Sequence, residues 1–173
     1  PADIPTGPIK GAFALANQLI KIAPVSIIFL RKKTGLNDYL NSEVKTLYLS
    51  SQKGILKKIL FYRNILKNSP NENISISFCF SADLVNIFCS DLAKTISTVR
   101  GNLFKNYYFD YGILGIFVAL IHLLFLNFAN HVIAMSPIMK KQLKKFIYKK
   151  ITIIPNFIDE SQALKFKNNF IRR

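Results

Sequence analysis

Three stretches of the chain carry side chains able to hold an anion. Gly7 and Lys10 sit in a Gly/Pro-rich loop, residues 5–11, that feeds a segment of helical periodicity. A loop opening a helix turns free backbone N–H groups and the positive end of the helix dipole toward its ligand, and Lys10 adds a full charge. Arg100, with Gly101 and Asn102, follows the apolar run at residues 95–99. Open α/β sheets bind ligands at the carboxyl ends of their strands, and there a guanidinium fork suits a phosphate or a carboxylated sugar. Ser136 precedes Pro137 at a third strand-to-helix junction. A plain turn, an ordinary loop arginine and a helix cap account for the same residues, so spacing alone leaves both readings open. No nucleophilic triad, carboxylate pair or phosphate-cradling P-loop can be assembled from the sequence.

The composition narrows the class. A chain of 173 residues, half of them hydrophobic, supports one domain with a sizeable core and excludes a disordered segment. Lys and Arg number 24 against 9 Asp and Glu, a net charge of +15. Such an excess attracts polyanions, whether nucleic acid, anionic lipid headgroups or sugar phosphates. A composition rich in Lys, Asn, Ile and Phe accounts for part of it. Cys79 and Cys89 lie in apolar surroundings and read as buried free thiols of a reducing compartment. His122 and His131 cannot complete a metal site with such distant thiols, and His122 reads as a core or helix-face residue. The chain opens at Pro1 with neither the basic nor the apolar stretch of a signal peptide, which suits a fragment or a trimmed chain.

The elements that must position these residues follow from hydrophobic period. Apolar runs at residues 25–30, 44–49, 74–80, 95–99, 131–135 and 151–154 have strand length. Between them lie helical patterns: Ala12, Leu15, Ala16, Leu19 and Ile20 on one face, then Ile55, Leu56, Ile59, Leu60 and Leu66. Lys53, Lys57, Lys58, Arg63 and Lys67 make the second of these a basic amphipathic helix, either solvated or set against an anionic membrane. Residues 107–111 form an aromatic cluster. Residues 112–129 carry no charge and read as one buried or membrane-grazing helix; a transmembrane span is disfavoured by His122, Asn127 and Asn130. Residues 131–154 then read as strand, helix capped by Ser136 with Pro137 in its first turn, and strand. Met139, Leu143, Phe146 and Ile147 line that helix, with Lys140, Lys141, Lys144 and Lys145 opposite. A βαβ unit implies a parallel sheet. Six strands alternating with helices predict a doubly wound, mainly parallel α/β domain.

The words Val132-Ile133-Ala134-Met135-Ser136 and Ile153-Ile154-Pro155-Asn156-Phe157-Ile158-Asp159 resemble the end of the N-terminal domain in family 4 of the GT-B glycosyltransferases. Phe157 stands where that family usually has Gly, which stiffens the loop. Gly7-Pro8-Ile9-Lys10 and Leu15-Ala16-Asn17-Gln18-Leu19 resemble the family's first loop and helix, with Thr6 in place of a first Gly. Arg100 and Asn102 resemble the R-x-N found in a subset of relatives at a strand end that elsewhere carries His.

The resemblance covers residues 5–160 and implies a Rossmann-like acceptor-side domain over residues 1–159. Residues 160–173 would begin the linker to a second domain. It also implies a first strand before the loop and, after it, a donor-binding domain whose E-x7-E motif this chain lacks. The implied activity is transfer of a sugar from a nucleotide-sugar donor to a glycan or lipid-linked acceptor, with no cofactor and no metal. Surface-polysaccharide or lipopolysaccharide assembly is the implied setting, in the cytoplasm at the inner face of the membrane, and the piece alone is expected to be inactive. The implied site is Gly7 for backbone approach, Lys10 and Arg100 for anionic groups, Asn102 and Ser136 at the cleft rim, and Asn156 in the linker.

Two other classes compete. A basic α/β module could bind nucleic acid, yet the aromatic residues lie in apolar runs and are not interleaved with Lys and Arg, so no nucleic acid is expected. A protein anchored through residues 112–129 is the other.

Overall fold

The computed structural model describes residues 7–31, 40–69 and 72–155. These fall into two compact units, residues 7–28 with 40–47, and residues 29–31 with 48–69 and 72–155. The start of the first loop, residues 5–6, the stretch 32–39, and everything from Asn156 onward lie outside the described residues.

The first unit contains helix α1 (Gly7–Leu19) and most of strands β1 (Ser26–Phe29) and β2 (Lys45–Tyr48), which pair in a two-stranded sheet. The bonds Lys45 N to Val25 O and Leu49 N to Phe29 O climb both strands in the same direction, so the pair is parallel. Helix α1 begins at Gly7 itself, inside the stretch expected as a loop. Its inward face is Phe13, Ala14 and Ala16; of the expected face only Ala16 is fully buried. The bulky Phe13 decides the orientation, with small neighbours closing around it.

The second unit runs α2 (Ile55–Lys67), β3 (Asn73–Ser77), α3 (Phe80–Ile87), β4 (Ala93–Val99), α4 (Leu103–Tyr111), α5 (Ile113–Leu126), β5 (His131–Ala134), α6 (Pro137–Leu143) and β6 (Ile151–Ile153). The four strands form a sheet in the order β3-β4-β5-β6, every pair parallel. Each of the six apolar runs expected to be a strand contains one, although β3 stops at Ser77 and Phe80, expected in it, begins α3. The result is the expected α/β class, parallel sheets flanked by helices and consistent with a Rossmann-like fold, with the helices of the larger unit gathered on one face of its sheet.

The strands of the larger sheet are added in one direction, and right-handed crossovers then deliver the connecting helices to one face. The alternation of side chains agrees. Val99, Val132, Ala134 and Ile151 point to that face and form the core with Leu123 and Leu126 of α5 and Leu143 and Ile147 of α6 and its following turn. Ser75 and Ser77 of β3 point the same way and meet Tyr62 of α2 and Asp83 and Asn86 of α3.

Several expectations are corrected here. The uncharged run 112–129 holds one helix as expected, but a shorter one: Gly112 (φ 59°) ends α4, and α5 covers only Ile113–Leu126. α5 is 14 residues long, and no helix among the described residues is long and apolar enough to cross a membrane. The last helix ends at Leu143, so Phe146 and Ile147 pack from the turn after it.

Helix α2 buries Ile59, Tyr62 and Leu66 and leaves Leu56 and Leu60 exposed. Tyr62 turns inward because its hydroxyl finds Ser75 at 2.7 Å. Nor is its basic face wholly solvated. Arg63 grips both oxygens of Asp91 at 2.6 Å, and Lys58 Nζ donates to Leu30 O at 2.6 Å.

The thiols also separate. Cys89 is fully buried, and desolvation raises its pKa to about 11. Cys79 is exposed, because β3 stops at Ser77 and leaves it as the residue before α3. Desolvation by its neighbours raises its pKa as well, outweighing the backbone N–H groups of Ala82 and Ser81. In the native chain at pH 8, a disulfide reagent such as DTNB is expected to label one thiol, lost in Cys79→Ser, and the second only after unfolding. Two thiols labelled at equal rates in the native chain would contradict this placement.

Candidate functional site

The register Val99↔Ala134 places Arg100, Asn102 and Ser136 all just past the carboxyl ends of two adjacent strands. Phe78, just past the end of β3, joins them: the Arg100 guanidinium lies over its ring, 4.9 Å from the centroid. A cation over an aromatic face is attracted by the ring quadrupole and is held flat by it. Desolvation lowers the Arg100 pKa from its ordinary value.

Gly101 makes the turn between strand and helix. Its φ is +90°, and a Cβ there would stand 2.8 Å from Asn106 Nδ2, so a side chain is excluded both by conformation and by space. Asn102 then caps α4, its side-chain oxygen accepting from Lys105 N at 3.2 Å. Ser136 caps α6 in the same way, accepting from Met139 N at 3.3 Å, with Pro137 in the first turn as expected. Helix α3 starts beside them at Cys79 with no side-chain cap. Three helix N-termini therefore open along one sheet edge, each bringing partial positive charge toward it. The arrangement can hold an anion: one guanidinium, a set of helix starts and two short polar side chains.

The remaining candidates lie elsewhere. Gly7 and Lys10 are on α1 in the other unit, exposed, and a Cβ at Gly7 would meet nothing within 4 Å. Asn156 lies outside the described residues. Behind the edge, Gly101, Asn102, Met139 and Phe146 help line a cavity of about 20 Å³, room for roughly one water and not for a sugar. A sugar-sized ligand would lie on the edge.

A buried polar chain also runs through this unit, and the sequence did not announce it. Ser77 Oγ donates to Asp83 Oδ1 at 2.5 Å, Asp83 Oδ2 faces His122 Nε2 at 2.8 Å, and His122 Nδ1 faces the Tyr107 hydroxyl at 2.9 Å. A carboxylate only accepts, so Nε2 carries the hydrogen and, in the neutral ring, Nδ1 accepts from Tyr107. Desolvation raises the Tyr107 pKa, with the Asp83 charge adding to it, and the phenol stays protonated. Asp83 and His122 are 1% and 3% exposed, closed to any substrate. His122 is thus the core histidine expected of it, and the chain holds α3, α4 and α5 together. Phe78 and this network depend on pairings across long sequence separations, whereas Arg100, Asn102 and Ser136 each had a signal in their position after a strand. Among the described residues no group of three or more His, Cys, Asp or Glu could hold a metal ion.

No protein-family model matches the chain, and neither does any curated protein or solved structure.

Proposed function

We propose that this chain is the acceptor-side half of a retaining GT-B glycosyltransferase of family 4 type. The complete enzyme transfers a sugar from a nucleotide-sugar donor to a glycan or lipid-linked acceptor in surface-polysaccharide or lipopolysaccharide assembly. In this reading it needs no metal and works at the inner face of the cell membrane, held there by its positive charge. The observation that supports it is the placement of Arg100, Asn102 and Ser136 just past the carboxyl ends of adjacent parallel strands, where α/β folds take their ligands. Arg100 would bind a phosphate or carboxylate of the substrates, steadied from below by Phe78. Gly7 and Lys10 of α1 keep the substrate-facing part that the resemblance implies, and Asn156 its part in the linker.

The test has two parts. Coding sequence on either side of the 173 residues is expected to specify a further Rossmann-like domain with an E-x7-E motif after Arg173. In the complete protein, Arg100→Ala is expected to lower kcat/KM by about 10–100-fold, the worth of one charged hydrogen-bonding partner. Sugar transfer by the 173-residue chain alone, or an Arg100→Ala enzyme of undiminished kcat/KM, would overturn the assignment.

A further inference from the structure

The two short helices that follow the candidate site bury only one side. Gly115, Ala119, His122, Leu123 and Leu126 of α5 face the sheet. On the opposite side Ile113, Phe117, Ile121, Leu124 and Phe128 recur at helical spacing and are all exposed, Phe117 by 61% and Leu124 by 63%. Phe109, near the end of α4, is 91% exposed. A helix apolar on every side has no stable place in water, and an exposed stripe of this kind marks a surface that something covers.

Charge identifies what covers it. Asn127, the residue ending α5, accepts from Tyr148 N and donates to Phe146 O, both at 3.0 Å, which seats the turn after α6 beside the end of the stripe. That turn and α6 present Lys141, Lys144, Lys145, Lys149 and Lys150, all exposed, around an exposed Tyr148. Between Asp110 and Asp159 the sequence contains no carboxylate. A second copy pairing through this face would bring two unanswered rows of lysines together. An anionic bilayer answers both halves: acyl chains take the apolar stripe, and headgroup phosphates take the lysines and the tyrosine.

We infer that α4, α5 and the lysine-rich turn after α6 form the face by which this protein lies on an anionic phospholipid surface. α5, about 21 Å long, lies in the interface plane, since the hydrocarbon core is about 30 Å thick. The inference rests on the membrane-surface part of the proposed function and names the surface responsible; it does not depend on sugar transfer.

The chain contains no tryptophan, so one introduced indole reports its own position. With the 173-residue chain, Phe117→Trp is expected to shift its emission to the blue on vesicles containing roughly one-third phosphatidylglycerol. Leu60→Trp, on α2, is expected not to shift. In co-sedimentation with the same vesicles, Phe117→Glu/Leu124→Glu is expected to weaken partitioning by about tenfold or more, with unchanged circular dichroism. Leu56→Glu/Leu60→Glu should bind as the unaltered chain does. Loss of binding in the α2 variant alone, with binding by the α5 variant and the emission of Phe117→Trp both unaffected, would overturn this face and leave membrane association standing. An unaltered chain that binds no vesicle would overturn both. A dimer made monomeric by Phe117→Glu, with no vesicle binding, would assign the face to self-association instead.

Discussion

Asp83→Ala is expected to cost the fold about 3–5 kcal/mol, the usual loss when one member of a buried polar pair is removed and the other stays. The carboxylate accepts from Ser77 with one oxygen and from His122 with the other, in a space where neither partner can reach water. Truncation would strand the His122 N–H, leave the Ser77 hydroxyl only its longer contacts with Ile96 O and Ser97 Oγ, both at 3.3 Å, and open a small void between α3 and α5. With a urea dependence of about 2 kcal/mol per molar, the unfolding midpoint should fall by about 1.5–2.5 M. Asp83→Asn should be milder, about 1–2 kcal/mol, because an amide can keep the Ser77 bond and donate to the other imidazole tautomer. Equal losses for the two variants would show that the packing of the side chain matters and the chain of hydrogen bonds does not.

Gly115→Ala is the second large effect. A Cβ at Gly115 would overlap the Tyr107 carbonyl and stand 2.8 Å from Tyr108 N, so a single methyl collides with the backbone of α4. Backbone cannot step aside as the tip of a long side chain can, and separating the helices would also disturb the Tyr107–His122 contact. A loss of about 3 kcal/mol is expected, the upper end for overpacking, measured as a drop in thermal or urea midpoint. Gly7→Ala provides the contrast: it lies in a helix with open space around it, and should change stability by less than about 0.5 kcal/mol. A tolerated alanine at 115 would mean that the two helices are not packed this closely.

What the sequence revealed was what short-range chemistry decides. The cap at Ser136 with Pro137 behind it is a matter of adjacent residues, and it is formed as read. Strand runs were legible because a buried parallel strand needs only a few consecutive apolar residues. The start of α5 after Gly112 was legible, but α4 was missed: residues 103–111 showed only as an aromatic cluster, and the helix buries none of its residues. The inward face of α2 was misassigned because Tyr62 counted as neither polar nor apolar until Ser75, 13 residues away, was known to meet it. The Asp83–His122 pair spans 39 residues, and nothing local distinguishes Asp83 from any acid in the first turn of a helix. Of the candidate site, Arg100, Asn102 and Ser136 share one edge because β4 and β5 are neighbours whose ends align, which sequence spacing does not encode.

The order β3-β4-β5-β6 has a consequence for how the protein is made. Every strand of the larger sheet pairs with the one synthesised just before it, and none must wait for a later partner to fill a gap. The paired residues lie 20 apart at Asn73↔Ala93, 35 at Ile96↔His131 and 19 at Val132↔Ile151. Closing the longest of these loops costs only about 0.5 kcal/mol more than the shortest, because the entropy grows with the logarithm of length. The sheet can therefore grow on the ribosome one strand at a time, its edge advancing with the nascent chain. The slowest addition should be β5, whose arrival requires the whole α4–α5 excursion to fold back first.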